Sequence, residues 1–259
     1  MRIPLYQIDA FASRVFAGNP AAVCPLDTWL DEALLQSIAE ENNLSETAFF
    51  VPEGEGYGLR WFTPVTEVDL CGHATLATAF VLFEYLRPEL QSVTFSSRSG
   101  PLTVTRAGDL LALDFPALPL SASRPVDDAA AALGVRPLEV RSGMDHFVLL
   151  ENEAQVRALQ PDLERVKRLG GRGVIVTARG EEADFVSRFF APACGIPEDP
   201  VTGSAHCALT PYWAERLGRS ELRALQLSAR GGELFCAAMG ERVRIAGRAV
   251  RYLEGTIFI

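Results

Sequence analysis

The 259-residue chain is short of most of the usual handles on function. No hydrophobic run comes near the roughly 20 residues that a membrane-spanning helix needs. Polar residues are scattered through the opening MRIPLYQIDAFASRVFAGNP, so no signal peptide is read there. Basic charge is in the minority: 24 Lys and Arg against 33 Asp and Glu leave a net charge of −9. With no basic run to offset that, nucleic acid and anionic membranes are excluded as partners, while a small anion held by a local field is not. The five cysteines are odd in number, widely spaced and without CxxC, which excludes a disulfide framework and points to a reduced, cytoplasmic protein. The three histidines have no HExxH-type spacing, so no metal site is expected.

What is there is an ordinary globular composition, 48% hydrophobic and 22% charged. It carries one conspicuous internal repeat. CGHATLATAF… from Cys71 and TGSAHCALTP… from Thr202 both open on x-Gly and run as an Ala-rich apolar helix. Both continue through Glu-Leu, a strand, a Ser-x-Arg-x-Gly turn and two further strands. Cys71 and Thr202 stand 131 apart, while Glu89 and Glu221, Arg98 and Arg230, and Gly108 and Gly240 each stand 132 apart. Upstream, RWFTP at Arg60 answers RFFAP at Arg188, 128 apart, and IDAF at Ile8 answers MDHF at Met144, 136 apart. A period of half the chain is too long for a solenoid and predicts two similar α+β domains facing each other about a pseudo-two-fold axis. The domains are placed at 1–115 and 116–249, with the Pro/Ser-rich DFPALPLSASRPVDD as linker. The segment 250–259 is read as an extra strand returning to the first domain. In the first half, strands are predicted over 5–11, 21–24, 47–51 and 59–62. Asp27 or Asp31 caps a helix bearing Leu30, Leu34, Leu35 and Ile38, and that helix ends at two asparagines.

The repeat makes the residues after Gly72 and Gly203 equivalent helix starts. Such starts offer unpaired N–H groups, the positive end of the helix dipole and, at glycine, close backbone approach. Two of them facing one cleft would cradle a carboxylate or phosphate. For one entrance alone, capping by Thr202 or Ser204 is explanation enough. The repeat weighs against that, because each half spends different polar residues at the same place: Asp69, Cys71 and His73 in one, Asp199, Thr202 and Ser204 in the other. Glu46, in NNLSETAFF, is either a solvated strand-end carboxylate or a general base, and the segment alone does not choose. His206 is read as packed or hydrogen-bonded inside the protein, since it lies two residues from Ser204 on another helix face.

In FAGNPAAV, NNLSETAFF, RWFTPVTEVDLCGHATLATA and EDPVTGSAHCALTPYW, taken in that order along the chain, the sequence resembles the phenazine-biosynthesis isomerase (PhzF-like) family. The resemblance spans essentially the whole sequence. It implies a diaminopimelate-epimerase-like fold: two similar domains, each a curved sheet around a central helix, with the active site between them. It further implies a homodimer and catalysis without metal or organic cofactor. By motif, Glu46 becomes the acid/base. His73, Asp199 and Ser204 become polar partners of the substrate, Gly72 and Gly203 supply helix-end amides, and Asn19 joins the substrate-binding set. The expected activity is a proton shift on a small carboxylate-bearing substrate, possible cyclic amino acids included; a shielded carboxylate can both remove and return a proton.

Two alternatives stay open. CGH at Cys71 also resembles the first motif of proline racemases, which use two facing cysteines, but the second position here is Thr202, whose hydroxyl is far too weak an acid. Cys71 then is a small packed residue or, as the alternative, a single base of an epimerase or racemase. A ligand-binding homologue without turnover is the other alternative. TGSAH is not a Gly-x-Ser-x-Gly elbow, and in RLGGRGVIV the glycines precede the strand, so neither a serine hydrolase nor a Rossmann site is read.

Overall fold

The computed structural model describes residues 1–122 and 125–259, so part of the linker reading, Ser123 and Arg124, lies outside the described residues. The chain forms two compact units: Met1–Asp114 with Ala246–Ile259, and Phe115–Ile245.

The first unit contains β1 (Arg2–Ala10), β2 (Asn19–Pro25), α1 (Glu32–Asn42), β3 (Glu46–Glu53), β4 (Gly56–Phe62), β5 (Glu67–Val68), α2 (Gly72–Val81), β6 (Ser92–Ser96), β7 (Leu102–Ala107) and β8 (Leu110–Pro116). It is α1 that Asp31 caps, accepting the N–H of Ala33 at 3.0 Å. Asn43 ends it in the left-handed region, φ 47°, and turns the chain into β3. Leu35, Ile38 and Ala39 of α1 pack with Phe49 and Phe62. Along β1 runs the C-terminal strand Ala249–Phe258, antiparallel from Arg2↔Phe258 to Ala10↔Ala249.

Helix α2 is buried on nearly every side and packs against β1, β2, β3, β7 and the C-terminal strand. Its Ala and Thr side chains are small enough for strands to close around it. The hydroxyls of Thr75 and Thr78 donate back to the carbonyls of Cys71 and Ala74, so their burial leaves no donor unmet.

The second unit contains α3 (Asp127–Leu133), β9 (Glu139–Ser142), β10 (His146–Leu149), α4 (Glu153–Ala158), α5 (Leu163–Arg168), β11 (Val174–Arg179), β12 (Phe185–Ala191), β13 (Ile196–Asp199), α6 (Gly203–Leu217), β14 (Glu221–Gln226), β15 (Gly232–Met239) and β16 (Arg242–Gly247). Residues read as linker are tied into this unit: Ala117, Leu118 and Ser121 donate their N–H groups to the carbonyls of Glu241, Cys207 and Ser142. The bond to Cys207 has a local cause. Pro211 stands inside α6 without an N–H, which frees the carbonyl four residues back, and Leu118 takes it at 3.0 Å.

Both units follow one pairing plan. In the first, β2 runs parallel to β3, β3 antiparallel to β4 and β4 parallel to β6. In the second, β10 runs parallel to β11, β11 antiparallel to β12 and β12 parallel to β14. The Arg60/Arg188 match is real down to its contacts. Each arginine forms a bidentate pair with a carboxylate, Glu67 or Glu198, and lies over the ring two residues on, Phe62 or Phe190. The IDAF/MDHF match is not positional. Ile8 lies in β1, whereas MDHF leads into β10, the counterpart of β2; the counterpart of β1 is β9.

Candidate active site

In the first unit the α2 entrance gathers three side chains. Glu46 is the first residue of β3, in register with Ala21 of β2, and Cys71 and His73 flank Gly72 at the helix start. The solvated reading of Glu46 does not hold, because only 9% of the residue is exposed. His73 Nε2 stands 3.0 Å from Glu46 Oε2. The two atoms miss hydrogen-bond alignment, and neither has another partner. On the far side of the ring, Nδ1 lies 3.5 Å from Cys71 Sγ. Asn19 is fully buried at the start of β2, two residues before the register partner of Glu46. Asp69, grouped with this entrance in the sequence, is exposed and faces Arg98.

Burial is the strongest single influence on His73 and opposes its charge, but the neighbouring Cys71 and Glu46 outweigh it and hold the imidazole well above its usual range. Burial, reinforced by Glu46, also pushes the Cys71 thiol up. Cys71 on one side of the ring and Glu46 on the other are the two groups that favour the imidazolium. Glu46, Cys71 and His73 offer ligand atoms within 4.8 Å of one another, a spacing a metal ion could use. Their arrangement suits a proton relay better: sulfur and carboxylate face opposite nitrogens of one imidazole, and one ion cannot bind both nitrogens.

In the second unit neither Thr202 nor Ser204 caps α6. Thr202 occupies the cap position without a side-chain cap bond, as Cys71 does at α2. Its hydroxyl instead donates to Asp199 Oδ2 at 2.5 Å and accepts from Gln226 Nε2 at 3.1 Å. Gln226 is buried and grips the turn further through Thr202 N–H and the Asp199 carbonyl. Because the amide can only donate to Thr202 Oγ1, the Thr202 proton is directed at Asp199, which acts as acceptor. Ser204 accepts from Arg172 Nη2 at 2.8 Å, and Arg172 is forked onto buried Asp145. Gln226, Arg172 and Asp145 carry no local signal in the sequence, and RLGGRGVIV, which holds Arg172, matches no site motif. The signal that finds this region is the 128-residue spacing of Arg60 and Arg188. Carried across the sheets by the registers Arg60↔Phe49 and Arg188↔Val176, it sets Gly173 against Glu46, next to Arg172. The second unit therefore has a glycine where the first has its carboxylate.

Cys207 is no second thiolate. It is buried, back-bonded to the Gly203 carbonyl, and burial pushes it up to about 12. His206 is fully buried, with Nδ1 2.8 Å from the Thr202 carbonyl, and burial lowers it from 6.5 to about 4. The unfolded chain thus takes up this proton near pH 6.5 and the folded chain only near pH 4. Stability is full above pH 6.5 and is lost as pH falls through that window, by on the order of 3 kcal/mol at most. Urea unfolding of wild type and His206→Gln from pH 7 to pH 4 checks this: the variant should show the shallower fall, and parallel curves would refute it.

A sequence profile of the PhzC-PhzF family, described as "Phenazine biosynthesis-like protein", matches residues 8–255. The chain belongs to that family. An uncharacterized isomerase of Pseudomonas aeruginosa is 54% identical to this PhzC-PhzF chain over 259 residues, covering 100% of both. The crystal structure of a PhzF-family phenazine biosynthesis protein from Enterococcus faecalis superposes with a TM-score of 0.98 at 50% identity, covering 100% of both chains. A hydroxyproline epimerase from Agrobacterium vitis, solved with trans-4-hydroxy-L-proline, has a TM-score of 0.65 at 10% identity over 99% of this chain and 92% of its own. That likeness concerns the fold. This PhzC-PhzF member is an isomerase with the two-domain, epimerase-like α+β fold. Among its described residues no helix is long and apolar enough to cross a membrane.

Proposed function

We propose that the chain is a cofactor-independent isomerase that shifts a proton between carbons of a small carboxylate-bearing substrate, with Glu46 as general acid/base. The observation that carries this reading is the facing of Glu46 Oε2 and His73 Nε2, both buried and neither otherwise partnered. Buried polar atoms are nearly always satisfied, and here each has no partner but the other, which supports a place for a ligand between them. In the proposed step Glu46 takes a proton from a carbon next to an electron-withdrawing group. The electron pair moves into a conjugated enolate, and the imidazolium of His73 steadies its charge. Protonated Glu46 then returns the proton to another carbon. Asn19 and Gly72 in the first unit, and Asp199, Gly203 and Ser204 in the second, are the candidates for contacts with a substrate's polar groups.

A racemase working through Cys71 draws support from the 3.5 Å Sγ–Nδ1 approach, but Thr202 stands where its second thiol would be. Solvent exchange separates the readings. Cyclic amino acids and enolisable acids are incubated in deuterated water with EDTA and followed by NMR. Wild-type exchange that persists under EDTA supports the proposal, whereas exchange abolished by EDTA overturns cofactor independence. Loss of exchange in Cys71→Ser with its retention in Glu46→Gln hands the base role to the thiol.

A further inference from the structure

Ser204 sits in an unusual hydrogen-bond position. A hydroxyl inside a helix ordinarily donates to the carbonyl four residues back, as Thr75 and Thr78 do in α2. For Ser204 that carbonyl is Pro200's, and the hydroxyl of Ser228 already donates to it at 2.8 Å. Ser204 Oγ instead accepts from Arg172 Nη2 at 2.8 Å, and among the described residues its own proton is given to no group. Arg172 is held from several sides. Nε and Nη2 reach Asp145 Oδ1 and Oδ2 at 2.9 and 2.6 Å, and the guanidinium lies over the Phe189 ring at 5.3 Å. The Asp145 side chain is 1% exposed. A buried carboxylate of this kind persists only with a full complement of partners, so the fork is rigid.

We propose that Arg172, clamped by Asp145, is a positioning residue for substrate binding. A guanidinium is positive and can only donate, so it takes one lone pair of Ser204 Oγ, turns the hydroxyl proton away from itself and favours the hydroxyl as a donor. Ser204 therefore selects an acceptor oxygen, as on a carboxylate, and discriminates against an ammonium group at the same spot. This inference rests on the reading of Ser204 as a substrate contact. It adds that the choice of group is imposed from Arg172 and Asp145, neither of which touches the substrate. Gly173, the counterpart of Glu46, directly follows Arg172. The second unit thus spends this stretch on orienting an anion where the first spends it on moving a proton.

The test uses benzoate as the carboxylate probe and the full-length protein, with binding read by saturation-transfer NMR and thermal shift, and benzylamine as the cationic control. Arg172 alone is a poor target, because its loss strands a buried carboxylate. The Arg172→Gln/Asp145→Asn pair removes both charges together. That pair and Ser204→Ala are each expected to weaken benzoate about tenfold, the size of one hydrogen bond to a charged group. The triple variant should be no weaker than Ser204→Ala, because Arg172 acts through Ser204. Multiplying losses would overturn the proposal, as would benzoate binding that is absent in wild type, indifferent to Ser204 or no stronger than that of benzylamine. Binding is read without turnover, so failure here and failure of the proton-shift reading are told apart.

Discussion

Glu46→Gln is expected to slow solvent exchange by roughly 10²–10⁴-fold, the usual contribution of a positioned general acid/base. The substitution keeps the size of the side chain and its place at the head of β3, so circular dichroism and the thermal transition should change little. What it removes is the charge that faces His73 Nε2 at 3.0 Å. Burial already opposes the imidazolium, and Glu46 is one of the two groups that offset it, so His73 in the variant should titrate lower than in wild type. A ¹⁵N titration of the histidines reads this directly. Together the two measurements separate chemistry from collapse: wild-type exchange in the variant would remove Glu46 as the base, and an unmoved His73 would show that Cys71, not Glu46, sustains its charge.

Phe185→Ala should cost about 3–5 kcal/mol, the range for removing a fully buried aromatic ring. Phe185 opens β12 with no exposed surface. Its ring stacks on Trp213 of α6, centroids 5.8 Å apart and planes within 4°, and lies 5.8 Å from the His206 ring. Trp213 is held in turn by its Nε1–H donating to Thr177 Oγ1 at 3.0 Å. The cavity would open beneath the helix that begins at Gly203 and Ser204, so anion binding there should weaken along with stability. Trp213 is the one tryptophan of its unit, Trp29 and Trp61 lying in the other. Near-ultraviolet dichroism during urea unfolding therefore reports which unit gives way. A loss below about 1 kcal/mol would show that the site closes over the missing ring.

The repeat and the two helix entrances were legible because helix starts announce themselves through glycine, turn-formers and a following apolar run. Asp31 and the paired asparagines marked α1 for the same local reason. The contacts of Glu46 were not legible, since whether a strand-end carboxylate is solvated or buried depends on what folds over it. Nor was Arg172, 32 residues from the serine it serves, legible from any local signal. Asp69 misled in the opposite sense: it is close to Cys71 in sequence, yet its side chain is 77% exposed. Local spacing reveals backbone geometry, while pairings across long separations emerge only once the strands are in register. The IDAF/MDHF resemblance failed on that point, since one strand's difference in the pairing plan undoes a match of four letters.

The pairing of β1 with the C-terminal strand also orders events in time. Arg2 meets Phe258 and Ala10 meets Ala249, so one whole edge of β1 lacks its neighbour until residues 249–258 have been synthesised. The second unit is contiguous, Phe115–Ile245, and every strand it contains is available before then. On the ribosome the half that is translated first is therefore completed last. Glu46 and His73 both lie in that first unit.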